Sequence, residues 1–241
     1  MFEYIENDFQ QRAYLISITN FLLDEFEHMF GRDIVNRNLK LVIYNDSTSD
    51  APRLMTNKTP MQIKLAQSSL SYWAQTIYQL SHELGHFSLS QGKSNPYDIL
   101  KWYEEIICEA ISLYALEYAA KNWAKCSLYH IDQMYAQCIE NYLKRILETQ
   151  GTNTFKDISD ISQLRDYEKF KAESDRISHI AERNALYEQI RIYPSSCREL
   201  CYYLCYLVKP DNLLIDFKKW KQHTNNPLIE CLSALQPRVS E

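Results

Sequence analysis

Glycine and long apolar runs are scarce in this chain. Its 241 residues include 4 Gly and 7 Pro, which leaves little room for long flexible linkers. No stretch approaches the roughly 20 apolar residues that cross a bilayer. An excess of basic charge is also missing, because the formal net charge is −5 and the Lys and Arg residues are scattered. The composition therefore favours neither a membrane protein nor a nucleic-acid-binding surface.

Secretory features are missing as well. Residues 1–6 are acidic and lack the basic start and the apolar core of a signal peptide. The seven cysteines are an odd number and show no disulfide framework of the secreted type. We therefore expect a cytoplasmic protein.

Cys197, Cys201 and Cys205 recur every four residues along a predicted buried helix, residues 197–208. This spacing would suit a metal or redox site. The neighbouring leucines favour the alternative, in which each cysteine packs as a small apolar side chain.

Residues 82–86 read His-Glu-Leu-Gly-His, the pattern H-E-x-x-H. An α-helix turns about 100° per residue, so His82 and His86 would share one face and could bind one metal ion together. Glu83 would lie beside them, where a carboxylate can take a proton from metal-bound water. This pattern is the signature of a zinc site with a general base.

The flanking residues bear on whether this match is accidental. Residues 70–89 contain no Pro, and Gly85 is their single Gly. Apolar residues recur at spacings of three and four, at Trp73, Ile77, Leu80, Leu84 and Phe87. That periodicity predicts a helix with a buried face. The alternative is a helix with two core-facing histidines and a chance Glu.

A catalytic zinc ion needs a third protein ligand and an open fourth position. Pro96 and Asp98 predict the start of another helix, whose residues 101–112 carry Glu105 and Glu109 four positions apart among apolar neighbours. Buried carboxylates are costly unless they are paired or bind a metal. Both glutamates are therefore candidate partners of the His pair.

The two segments together resemble the gluzincin group of zinc metallopeptidases, which includes thermolysin-like enzymes and zinc aminopeptidases. The similarity covers about residues 60–115. The 18 residues between His86 and Glu105 match the aminopeptidase spacing, and residues 102–105, Trp-Tyr-Glu-Glu, resemble its W-L-N-E, with Glu104 in place of Asn. The resemblance implies that Glu105 is the third zinc ligand and that Glu109 orients a ligating histidine from the outer shell.

A second alignment places Glu109 on the metal. Residues 109–112, Glu-Ala-Ile-Ser, resemble the E-A-I-S of the thermolysin branch, but Leu113 stands where an acid is expected. The sequence therefore leaves Glu109 as the alternative third ligand or an outer-shell residue.

The expected fold class is α+β and predominantly helical. Residues 8–30 predict an amphipathic helix, residues 39–44 and 61–65 predict strands, and residues 45–60 predict a polar loop. The resemblance implies a zincin-like core with a small N-terminal sheet. We expect this core at residues 1–150 and a helical C-terminal region at residues 151–241 that packs on it.

Further elements are expected after the metal-binding helices. Residues 128–147 and 166–192 predict one helix each, and the polar residues 151–165 predict the boundary between the two regions. In the gluzincins, a strand just before the metal-binding helix borders the cleft and pairs with extended peptide. Residues 61–65 occupy that place in the chain order, although a plain structural strand is the alternative.

The expected function is zinc-dependent hydrolysis of a peptide or protein substrate, with one Zn²⁺ per chain and Glu83 as the general base. The alternative is a regulatory or interaction protein that retains the zinc site without efficient proteolysis. Family members add a Tyr or His that stabilises the oxyanion. The candidates for that role here are Tyr114, His130, His179 and Tyr187, and no motif selects among them.

Overall fold

A small mixed sheet lies in the N-terminal part of the chain. The computed structural model describes residues 2–38, 40–93, 99–151 and 155–239. The sheet has the order β1-β2-β4-β3, and its strands are β1 (Phe2–Ile5), β2 (Leu41–Asn45), β3 (Arg53–Met55) and β4 (Met61–Leu65). The first three strands in this order run parallel, whereas β3 runs antiparallel to β4 at the edge of the sheet.

Helices form most of the remaining structure. The α-helices are α1 (Phe9–Phe30), α2 (Trp73–Gln91), α3 (Lys101–Asn122), α4 (Tyr135–Leu147), α5 (Ile161–Phe170), α6 (Ile180–Ile192), α7 (Phe217–Lys221) and α8 (Pro227–Leu235). Segments of 3₁₀ helix cover Trp123–Lys125, Ser127–His130 and Pro194–Tyr206. The α+β, predominantly helical class is therefore confirmed. None of the helices in the described ranges combines the length and the apolar character needed to span a bilayer.

Helix α1 shows how the sequence pattern specifies the fold. Asp8 caps its first turn, because its side chain accepts a hydrogen bond from the backbone N–H of Gln11. The predicted apolar stripe is buried in the core, at Leu15, Ile18, Leu22, Phe26 and Met29. The predicted helix is confirmed to within one residue at its start.

The sheet departs from the prediction at one strand. Strand β4 is confirmed at its predicted bounds, and the strand predicted at residues 39–44 is found as β2, with Leu39 outside the described residues. The interpretation of residues 45–60 as a loop alone is wrong, because they contain β3. This strand has three residues, too few for an alternating pattern, and its pairing with β4 establishes it.

Helices α2 and α3 position the candidate site. The helix predicted at residues 70–89 is found at Trp73–Gln91, and its predicted apolar stripe is buried. The predicted helix start at Pro96 and Asp98 lies outside the described residues, and the described part of α3 begins at Lys101. Helix α3 packs against α2, α4 and α6, which explains why nearly all of its sides are buried.

Two predictions of continuous helix in the later chain are wrong, and a third segment is helical but of the 3₁₀ type. Residues 128–147 divide into a 3₁₀ segment and α4, and residues 166–192 divide between α5 and α6 with turns between them. Residues 197–208 lie largely in the 3₁₀ helix Pro194–Tyr206 instead of a buried α-helix. Apolar periodicity continued across these breaks because both sides of each break face the same core.

A continuous hydrophobic cluster joins the two predicted regions. It includes residues of α1, α2 and α3 as well as residues of α6, α8 and the 3₁₀ helix Pro194–Tyr206. The division into residues 1–150 and 151–241 stays a prediction.

Candidate metal centre

The candidate metal centre lies between α2 and α3, which approach each other closely. Gly85 makes this approach possible, since a Cβ atom at its position would lie 3.0 Å from Sγ of Cys108 on α3. His82 and His86 are one turn apart on α2, on either side of this contact in the chain. Glu105 lies one turn before Cys108 on α3 and faces both histidines.

The three side chains converge on one point. The Nε2 atoms of His82 and His86 are 3.2 Å apart. Oε2 of Glu105 lies 3.3 Å from Nε2 of His82, and its Oε1 lies 3.4 Å from Nε2 of His86. Ligands at about 2.0–2.1 Å from a tetrahedral zinc ion are about 3.3 Å from one another, which is close to the spacing of the two Nε2 atoms and of each Nε2 atom from one oxygen of Glu105. The group of His82, His86 and Glu105 could bind a metal ion.

Glu105 is the candidate third ligand that the structure brings to the two histidines. Burial opposes its ionisation, but hydrogen bonding and charge interaction with His82 and His86 outweigh burial and hold the pKa of Glu105 far below its usual value. The carboxylate is therefore ionised at neutral pH, as metal binding requires.

A second carboxylate, Glu104, orients His86 from the other side of the ring. Its Oε2 lies 3.2 Å from Nδ1 of His86, so that nitrogen donates and Nε2 stays free for a metal. Glu104 also accepts hydrogen bonds from Lys93 and from the hydroxyl of Tyr203. Burial opposes its ionisation, but His86 and Lys93 outweigh burial and lower the pKa of Glu104. The sequence resemblance marked this position only as a replaced Asn.

Glu109 lies outside the converging group, in a basic environment. It is fully buried and lies 3.3 Å from Nε of Arg176, 3.5 Å from Nε2 of His179 and 3.6 Å from Nη1 of Arg183. Burial opposes its ionisation, but His179 and Arg176 outweigh burial and lower the pKa of Glu109. The charge of His82 acts in the same direction.

The atoms that would join Glu109 to His82 in this outer shell have no hydrogen-bond partners. Within the described residues, neither carboxylate oxygen of Glu109 nor Nδ1 of His82 has a hydrogen-bond partner. A ligating histidine normally donates from its second nitrogen to a carboxylate or a carbonyl. The unpartnered Nδ1–H group of His82 is therefore available as the donor that an outer-shell Glu109 would need.

Glu83 lies beside the converging group and is buried. Burial raises its pKa, the positive charges of His82 and His86 oppose this effect, and a hydrogen bond from the backbone N–H of Leu54 also opposes it. A raised pKa makes the carboxylate a stronger base than an ordinary surface Glu. The contact with Leu54 ties this carboxylate to the edge strand β3.

An open cleft of about 330 Å³ exposes the group to solvent. One wall is residues 51–54 and Thr56, around β3, and the floor includes His82, Glu83, His86, Glu104 and Glu105. The interpretation of residues 61–65 as the strand at the cleft border is wrong. Strand β4 is paired on both sides, with β2 and with β3, so its backbone groups are already used.

The four candidates for oxyanion stabilisation do not line this cleft. The hydroxyl of Tyr114 donates to Glu25, and that of Tyr187 donates to Glu117. His179 is buried behind Glu109, and His130 is exposed in the 3₁₀ helix Ser127–His130. A charged residue that sequence analysis missed does line the cleft, namely Arg176. It lies in turns before α6, where no motif marks it.

The cysteines at positions 197, 201 and 205 form no metal cluster in the described part of the chain. Cys197 and Cys201 are buried in the core, whereas Cys205 is exposed. The packing interpretation therefore holds for the first two.

Comparison of this chain with protein-family models, with curated proteins and with solved structures gave no match.

Proposed function

We propose that this protein is a zinc-dependent metallopeptidase with a zincin-like core. The observation that carries the proposal is the convergence of the two imidazole Nε2 atoms and the Glu105 carboxylate, with the buried carboxylate of Glu83 beside them in an open cleft. A site with a purely structural role has no need of an open face or of a base. The proposal retains the cytosolic location and the peptide or protein substrate expected from the sequence.

The residues divide the work of hydrolysis. A bound Zn²⁺ would polarise the substrate carbonyl and acidify a water molecule. His82, His86 and Glu105 would hold the ion, and Glu104 fixes the tautomer of His86. Glu83 takes the proton of the attacking water and delivers it to the leaving amine. Its burial raises its pKa toward the range in which a carboxylate can do both.

Strand β3 offers a way to hold an extended peptide. It lies at the edge of the sheet. One side of β3 pairs with β4, and the other side pairs with no described strand. The N–H of Leu54 points to Glu83 and thus toward the cleft. Backbone pairing along this edge would place a peptide carbonyl across the metal group with little demand on sequence.

The variant Glu83→Gln tests the proposal. The amide fills the same space but cannot accept a proton, so zinc content and folding should stay while hydrolysis falls by about 10²–10⁴. New peptide termini in host-cell extract, identified by mass spectrometry, give the activity of the wild type. Glu173→Gln is the matched control, because Glu173 lines the same cleft but pairs with Lys101 at its rim.

Two outcomes contradict the peptidase proposal. One is equal cleavage by the wild type and by Glu83→Gln. The other is a wild type that cuts nothing, together with a Glu83→Gln protein that performs the cellular role unchanged. The second outcome favours the regulatory protein with a retained zinc site.

A further inference from the structure

Arg176 is a cleft cation near the metal group that shares its ion-pair partner with a second arginine. Its side chain is 40% exposed, and it lines the cleft together with His82, Glu83 and Glu105. Its ion-pair partner is Glu109, through Nε at 3.3 Å. Within the described residues, neither Nη nitrogen makes a hydrogen bond.

The charges around Glu109 do not cancel. Arg176 and Arg183 both approach this carboxylate, and no other described carboxylate forms an ion pair with either guanidinium. Arg183 is buried and also donates to the side chain of Asn184 through Nε and Nη2. Two fixed positive charges therefore share one negative charge, and the more exposed of the two faces the cleft.

The other basic residues of the cleft are placed differently. Lys93 is paired with Glu104, and Lys101 is paired with Glu173. Arg53 forms no ion pair with a described residue, and it is exposed on the edge strand β3. The positive charge of Arg176 interacts with Glu105 and Glu83 as well as with Glu109, which places it within electrostatic range of the reacting groups. Arginine suits this position because its guanidinium stays charged and offers several N–H donors in one plane.

We infer that Arg176 stabilises the oxyanion that forms on the substrate during hydrolysis, an inference that rests on the proposed function. The water oxygen bonds to the carbonyl carbon, the carbonyl π electrons move to its oxygen, and Glu83 receives the proton. The C–N bond then breaks, the carbonyl re-forms, and the amine nitrogen takes the proton from Glu83. The Nη groups of Arg176 supply the donors for the negative oxygen, a role that none of the Tyr and His candidates can fill from their positions.

Anion binding to the cobalt-loaded protein tests this inference without a known substrate. Co²⁺ replaces zinc as a coloured probe, and inorganic phosphate is titrated while the visible spectrum is recorded. Arg176→Gln should bind phosphate about tenfold or more weakly, because a charge-assisted hydrogen bond is lost, while its Co²⁺ affinity stays within about twofold of wild type. Lys101→Gln removes one positive charge from the same cleft and should change the phosphate affinity by less than about twofold.

The outcomes separate this inference from the proposed function. Equal phosphate affinity in the wild type and Arg176→Gln overturns the role of Arg176, as does a wild type that binds Co²⁺ but no phosphate. A wild type that binds no Co²⁺ overturns the metal site itself. If Arg176→Gln fails to fold, Arg176→Met decides: it keeps a long side chain but removes the charge and the donors, and an affinity equal to wild type contradicts the inference.

Catalysis gives a second readout once a cleaved peptide is known. Arg176→Gln should lower kcat by about 10²–10³ and leave KM nearly unchanged, because the oxyanion exists only after attack. Added guanidinium at millimolar concentration should restore part of kcat in this variant. A change confined to KM contradicts the oxyanion role.

Discussion

His86 lies between consecutive carboxylates of α3. Its Nδ1 is 3.2 Å from Oε2 of Glu104, and its Nε2 is 3.4 Å from Oε1 of Glu105. One carboxylate therefore fixes the ring and its tautomer, whereas the other shares its metal-binding side. Neighbouring residues of a helix point about 100° apart, so α3 can reach both sides of the ring only because it crosses α2 closely at Gly85.

This arrangement predicts a ranking of metal affinities among the glutamates of α3. Wild-type protein purified without added metal should contain about one Zn²⁺ per chain by elemental analysis. Glu105→Ala should lose most of that zinc, since a direct ligand is gone. Glu104→Ala and Glu109→Ala should weaken binding by about 10–100-fold, the usual cost of an outer-shell loss. Competition titration with a chelating dye measures each affinity.

The His pair supplies the control for this ranking. A protein with both His82→Ala and His86→Ala should bind no zinc above background. Zinc retained by that protein, or absent from the wild type at every loading condition, contradicts the site. A larger loss in Glu109→Ala than in Glu105→Ala transfers the ligand role to Glu109.

The metal-free protein should have a pH window of stability that comes from the same contacts. Burial alone would lower the pKa of His86, but its contacts with Cys108 and Glu104 raise that pKa well above 6.5. The pKa of Glu104 is lowered below 4.5. A raised histidine stabilises the fold fully below pH 6.5 and less as pH rises through its folded pKa. A lowered carboxylate stabilises it fully above pH 4.5 and less as pH falls through its folded pKa.

The pair therefore stabilises the metal-free fold most between about pH 4.5 and 6.5. Thermal unfolding with a chelator present should show the largest Tm difference between the wild type and Glu104→Gln in that window. Bound zinc should shift the stabilisation of the fold to higher pH, because it binds neutral imidazole. A Tm difference that is constant from pH 4 to 9 contradicts this linkage.

The sequence predicts the parts of the fold that depend on local pattern. The stripes of α1 and α2 and the bounds of β4 follow from periodicity, since each of these elements buries one face in the core. Strand β3 and the breaks within residues 128–147 and 166–192 depend on pairing and packing between distant segments. The spacing of apolar residues within a segment does not predict those contacts.

The same distinction applies to the site. His82, Glu83 and His86 are close in sequence, so a motif can indicate them. Glu104 gains its role from Lys93 and Tyr203, which lie on other elements. Arg176 reaches the cleft from turns 67 positions after Glu109 in the chain (176 − 109). Neither residue has a local signal beyond being charged.

The Gly85–Cys108 contact predicts that the effect of Gly85→Ala on the free energy of unfolding changes sign when Cys108 is replaced by Ala. Alanine at position 85 gains about 1 kcal/mol of helix propensity, but its Cβ would lie 3.0 Å from Sγ of Cys108. Overpacking of this kind typically costs about 1–3 kcal/mol. Gly85→Ala should therefore be neutral to destabilising alone and stabilising in a Cys108→Ala background. Urea unfolding of the four proteins gives the coupling free energy, and an equal effect of Gly85→Ala in both backgrounds contradicts it.

The contact between β3 and Glu83 can be tested at Leu54, because its N–H donates to Glu83. Proline is tolerated at an edge strand where the N–H points outward, so Leu54→Pro should keep the fold and the zinc. It removes the N–H that donates to Glu83, and one lost hydrogen bond of about 1 kcal/mol corresponds to roughly fivefold in kcat/KM. Leu54→Ala shortens the same side chain but keeps the N–H, and it is the matched control. The measurement is kcat/KM of the wild type, Leu54→Pro and Leu54→Ala on a peptide identified by the search for new termini in host-cell extract. If Leu54→Pro and Leu54→Ala lose activity equally, the side chain of Leu54 and not its N–H accounts for the loss.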